Sequence, residues 1–193
     1  MADRTLTDRE YWNLDGPLTQ EQAEFFAALR ERAGSELQPW VARVDTETFF
    51  VAVDIDAPDV ALITAGAYVA QGRLRGDSVD LQDYSLPTEH TEIALDVTAP
   101  PRVLADRLAD WFEELAARRI VRHEWHYRDR MYASCYLFED SGWRLSQMYR
   151  RDWAPPGQAD QLISDGFVFG KGWIQTSRLG PPDRVTVVSG LGA

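Results

Sequence analysis

The residues best suited to chemistry crowd into one short stretch. His123, Glu124 and His126 stand almost side by side, with Asp129 just beyond. Imidazole and carboxylate in such proximity serve either as metal ligands or as an acid–base pair. An odd separation along a strand sends the two imidazoles to opposite faces, and zinc needs three or four converging ligands. No metal site is expected here. Glu124 and His126 share a face, so they are the catalytic candidates for proton transfer. The competing reading is a solvated strand of mixed charge.

Other groups resolve more simply. Asp54 and Asp56, with Asp59 beyond Pro58, form a D-x-D pattern that can hold Mg²⁺ or Ca²⁺. Acids of this kind are equally at home on a solvated strand end, and that is the reading adopted. Cys135 is the single cysteine and excludes an internal disulfide. Its neighbours Met131, Ala133 and Leu137 point to a buried thiol acting as a small hydrophobe. Arg75-Gly76-Asp77 reads as a hairpin turn. Gly166, Gly170 and Gly172 surround Lys171 but open no helix and match no phosphate loop. Neither a G-x-S-x-G elbow nor a dinucleotide-binding fingerprint occurs. No cofactor is expected.

The strongest remaining signal is a set of arginines and tyrosines: Arg122, Arg128, Tyr132, Tyr136, Arg144 and Arg150. Guanidinium groups offer planar donors to carboxylate or phosphate, and phenol rings offer a stacking surface. Both types are enriched where partners bind. These six are the candidate ligand- or partner-binding residues. On the other reading, the N-terminal half or a second copy of the chain covers them, which places a homodimer among the expected assemblies.

A helix followed by a meander positions these groups. Pro100-Pro101 opens the helix, and Leu104, Leu108, Trp111, Phe112 and Leu115 recur at helical spacing. Glu114 stands four residues before Arg118 and is expected to pair with it. Strict alternation follows from Ile120 to Asp152. Val121, His123, Trp125 and Tyr127 oppose Arg122, Glu124, His126, Arg128 and Arg130. Met131, Ala133, Cys135 and Leu137 oppose Tyr132, Ser134, Tyr136 and Phe138. Trp143, Leu145, Gln147 and Tyr149 oppose Arg144, Ser146, Met148 and Arg150. The apolar sets are expected under the helix, with the arginine–tyrosine face outward.

The N-terminal half repeats the order of helix then strands. Tyr11 and Trp12 are anchors in a polar start. Thr19-Gln20-Glu21-Gln22 is a capping box, and the helix it opens runs to about Ala33. Trp40–Val44, Thr48–Ile55, Val60–Thr64, Tyr68–Leu74, Val79–Asp83 and Glu92–Val97 read as strands, with Gly66 marking a bulge or bend. Ala154-Pro155-Pro156-Gly157 breaks the later pattern. Short strands are expected at Phe167–Phe169, Trp173–Thr176 and Arg184–Val188.

The expected class is therefore α+β. Two antiparallel sheet units each pack against one amphipathic helix, in the manner of a degenerate α–β repeat, and the halves are 1–98 and 99–193. With 193 residues, 45% of them hydrophobic, the chain can bury a sizeable core. No membrane-spanning run or export signal stands out, so a cytoplasmic location is the expectation. The net charge is −11, and residues 1–99 carry 7 arginines against 19 acids. Residues 118–152 reverse this, with 8 arginines against 5 acids. Overall acidity argues against nucleic acid or an anionic membrane as partner. The expected function is a non-enzymatic binding protein of immunity, inhibitor or accessory-chaperone type, acting through a protein–protein surface. The alternative is a small enzyme or carrier that holds an anionic or aromatic molecule in a sheet–helix pocket.

Overall fold

The computed structural model describes residues 12–14, 16–32, 38–57, 60–170 and 172–189. Tyr11, Asp59 and Lys171, singled out in the sequence, lie outside the described residues. The chain divides into two compact units, Met1–Ala116 and Ala117–Ala193. The class is α+β, with a 6-stranded and a 4-stranded sheet, almost wholly antiparallel, and helices packed on them.

The first unit contains β1 (Trp12–Asn13), α1 (Gln20–Arg32), β2 (Trp40–Arg43), β3 (Thr48–Ala57), β4 (Val60–Ala70), β5 (Arg73–Ser78), β6 (Leu95–Thr98) and α2 (Pro101–Ala117). The capping box closes α1 reciprocally. Gln22 N donates to Thr19 Oγ1 at 3.2 Å and Thr19 N donates to Gln22 Oε1 at 2.9 Å. Phe26 then meets Phe49 of β3 edge-on, with ring centroids 4.8 Å apart. Strands β2 to β5 form successive antiparallel hairpins. Among the described strands only β1 runs parallel to its neighbour, because α1 carries the chain across before β2.

Helix α2 joins this same unit. Its Asp110 pairs with Arg32 of α1, and Trp111 Nε1 donates to the Ile93 carbonyl at 2.8 Å. The Trp111 indole also lies over Gly76, where an added Cβ would come within 3.1 Å of it. That close approach explains Gly76, and it corrects the expected turn. Arg75-Gly76-Asp77 lies inside β5. The hairpin turn is Gln71-Gly72, with φ of 49° and 72°, the twist that suits two-residue connections. Asp77 is buried and accepts from the Ser78 and Thr91 backbone N–H groups, which ties down the long loop before β6. Val79–Asp83 belongs to that loop. Gly66 sits within the ladder against the Phe50 ring, and the bulge of this sheet falls between Ile55 and Asp56 instead.

The second unit contains β7 (Ile120–Tyr127), β8 (Arg130–Phe138), β9 (Arg144–Tyr149), α3 (Gln158–Ser164), β10 (Val168–Phe169), β11 (Trp173–Ile174) and β12 (Arg184–Ser189). Short 3₁₀ turns occupy Arg151–Trp153 and Thr176–Arg178. The main sheet has the order β12-β7-β8-β9, so the last strand returns to the edge of the first. Val121, Trp125, Ala133, Cys135 and Leu137 pack on one sheet face against Leu162 of α3 and Leu179. The cover over this apolar set thus includes the C-terminal segment. The sequence gives α3 only two buried anchors, Ala159 and Leu162, too few for a visible period. Among the described residues no helix is long and apolar enough to cross a membrane.

Candidate functional site

Two register shifts decide which side chains meet on the second sheet. Trp125 pairs with Ala133 while His126 pairs with Met131, so Tyr132 is an extra residue in β8. A bulge of this kind turns the flanking side chains over. Tyr132 joins the core with Leu137 and Leu162 and is 5% exposed, whereas the alternation placed it beside Tyr136. Met131 moves the other way, and its Sδ lies 3.0 Å from Arg122 Nη2. The second shift makes Leu145 the extra residue and sets Arg144 opposite Leu137. Arg144 is therefore on the face of His123 and Cys135, not with Arg122 and Tyr136. Phe138, also assigned to the outward face, is fully buried beneath the Arg118 guanidinium.

Arg122, Glu124, Ser134 and Tyr136 do share a face, being cross-strand partners. Glu124 is buried, with Oε1 3.2 Å from Arg122 Nε and Oε2 3.7 Å from His126 Nε2. The Arg122 guanidinium also lies 5.4 Å from the Tyr136 ring centroid. His126 is fixed through its backbone, whose N–H donates to Asp183 Oδ2 at 2.6 Å beyond the end of the β12 pairing. One carboxylate oxygen thus faces a guanidinium and the other an imidazole. This arrangement orients His126 without giving it a third metal ligand. Among the described residues no group of three or more histidine, cysteine or acidic side chains is placed to hold a metal.

Arg128 and Arg150 belong to a different place, the end of the sheet. Arg128-Asp129 is the two-residue turn between β7 and β8, with φ of 51° and 62°. Arg128 Cζ lies 5.1 Å from the Tyr127 ring centroid. Arg150 and Arg130 approach the Trp153 ring, with Cζ at 4.5 and 5.9 Å from its centroid. All three arginines are exposed, and Trp153 is partly so. Among the described residues none of the three has a carboxylate partner. Arg151 beside them is paired with Asp160. The alternation set Arg130 on the outward face without making it a candidate binding residue, and Trp153 was missed. The signal was the Arg-x-Arg turn followed by Arg-Arg-Asp-Trp, whose juxtaposition depends on the start of β8 lying beside the end of β9.

The opposite sheet face holds the thiol. Burial pushes Cys135 up, and the neighbouring Thr176 and Arg144 offset this only in part. The thiol is held in its protonated form, which suits packing and not nucleophilic attack. His123, its cross-strand neighbour, is held below the ordinary imidazole value by burial and then by Arg144. In the first unit, Asp54 accepts from Trp40 Nε1 at 3.1 Å and from Thr64 Oγ1 at 2.5 Å. Asp56 is raised by burial and then by Asp54. Those contacts give Asp54 a structural task.

Comparison with protein-family models, curated proteins and solved structures found no match for this chain.

Proposed function

We propose that this chain is a binding protein of immunity, inhibitor or accessory-chaperone type, and that it engages an acidic partner surface through the arginine–aromatic end of the second sheet. One observation carries the reading. Arg128, Arg130 and Arg150 are held over Tyr127 and Trp153 with no carboxylate partner among the described residues. Residues 1–116 carry 9 arginines against 23 acids, while 117–193 carry 11 basic residues against 8 acids.

Stacking on a ring keeps a guanidinium extended and partly desolvated, with its N–H edge free for an oxyanion. Arginine and tryptophan together are also the types that dominate interface energetics. The turn adds to this. Two non-glycine residues at positive φ carry a conformational cost that Asn-Gly would avoid.

The test is site-specific crosslinking in the native host from a photoreactive side chain at Asp129. A discrete protein adduct that disappears in R130E/R150E, with thermal stability unchanged, supports the reading. An adduct of equal yield in that variant, or none, rejects this surface.

A further inference from the structure

We infer that the first unit contains a separate ligand site, a groove between the start of α1 and the β4–β5 hairpin, which takes a small apolar molecule carrying a positive charge. The groove encloses about 270 Å³. Its floor is Phe25, Phe26 and Phe49, with Leu104 at the side, and these side chains are themselves well buried and fixed. Such a concavity suits the body of an aryl or alkyl compound, at the small end of ligand-sized pockets.

The rim sets the sign of the charge. Glu21 and Glu47 both line the groove, and among the described residues no lysine, arginine or histidine does. Glu47 is held in place because its Oε2 accepts from Gln71 Nε2 at 2.9 Å. The nearby α1 N-terminus would ordinarily favour an anion. Here the capping box engages two of the N–H groups at that end, since Gln22 N donates to Thr19 Oγ1 and Thr19 N to Gln22 Oε1, and Glu21 itself sits in the first turn. Carboxylates above an apolar floor therefore select an ammonium or guanidinium head on an apolar body. The surrounding charge of residues 1–116, 9 arginines against 23 acids, draws cations in the same sense.

The site is independent of the arginine cluster and can be tested alone on the full chain. The probe is 2-phenylethylammonium, followed by amide NMR and calorimetry, with 3-phenylpropionate as the anion of matching body and benzyl alcohol as a neutral control. Expected is saturable binding of the cation at millimolar or lower concentration, with shifts confined to residues around Phe25, Phe49 and Gln71. The double variant E21Q/E47Q should weaken it about tenfold. Ala70→Phe narrows the groove without touching either acid and should abolish it. Equal binding of the anion or the neutral compound would overturn the charge assignment. Cation binding indifferent to E21Q/E47Q would do the same. Absence of saturable shifts at the groove with the cation would overturn the site itself.

Discussion

Arg122 Nε lies 3.2 Å from Glu124 Oε1, yet among the described residues its N–H finds no hydrogen-bond acceptor. The contact is an ion pair without an aligned hydrogen bond, and the guanidinium is held equally by Met131 Sδ and the Tyr136 ring. Burial makes such a pair costly to break from one side, because the surviving charge keeps its desolvation and loses its partner. The side chains are 27% and 10% exposed, so the full penalty of a sealed interior does not apply. Glu124→Ala is expected to cost about 2 kcal/mol. The double replacement R122M/E124L should recover most of that loss. Denaturant melts of the single and double variants measure the coupling, and a double variant no better than Glu124→Ala would show that the pair is not the source.

The Arg128-Asp129 turn makes the opposite prediction for stability. Both residues adopt a left-handed backbone, where a Cβ crowds the following carbonyl. The variant R128N/D129G places there the pair that this turn prefers. It should stabilise the second unit by about 1 kcal/mol. If the arginine end binds a partner, the same variant should bind more weakly while melting higher. Stability and binding that move together would separate the turn from the proposed surface.

Much of this arrangement was legible in the residues. The capping box at Thr19 and Gln22 formed as read, and the period of α2 and the alternation of β7 held through Arg122, Glu124 and their opposites. What could not be read was the pair of register shifts. One extra residue in a ladder leaves no mark in composition when it is Tyr132 or Leu145 and not glycine. Yet the first reversed Tyr132 and Met131, and the second moved Arg144 across the sheet. Helix α3 was hidden because seven residues give too few turns for periodicity. The Gly76 environment was invisible for another reason. Only the tertiary approach of Trp111 distinguishes a packing glycine from a turning one.

His123 supplies a pH dependence near neutrality. Burial, and after it Arg144, holds the imidazole below its ordinary value of 6.5 in the folded chain. The unfolded chain therefore binds the proton first as pH falls. This contribution to stability is complete above the unfolded value and is lost as pH drops from there toward the folded one. His123→Asn should flatten the stability profile just below pH 6.5. Arg144→Ala should bring the imidazole back toward its ordinary value, because one cause is removed. Titration of the His123 imidazole by NMR in the parent chain and in Arg144→Ala checks this, and an unchanged titration in Arg144→Ala would exclude the charge effect.

Tyr149 gives the matching dependence at alkaline pH, with the sign reversed. Burial, and then the adjoining Tyr132 phenol, push its ionisation to about 12 from an ordinary value of 10. The two rings meet edge-on at 5.8 Å, and the Tyr149 hydroxyl donates to Gln158 Oε1 at 3.1 Å. The folded chain keeps this proton where the unfolded chain releases it. The stabilisation is therefore whole below pH 10 and disappears as pH rises through the interval up to about 12. Tyr149→Phe removes the ionisable group together with one hydrogen bond. It should lower stability at neutral pH by about 1 kcal/mol. It should also reduce the fall in stability above pH 10. Unfolding followed across that range, with phenolate absorbance recorded alongside, separates the two effects. If Tyr149→Phe and the parent chain lose stability in parallel above pH 10, the phenol is not what links alkali to unfolding.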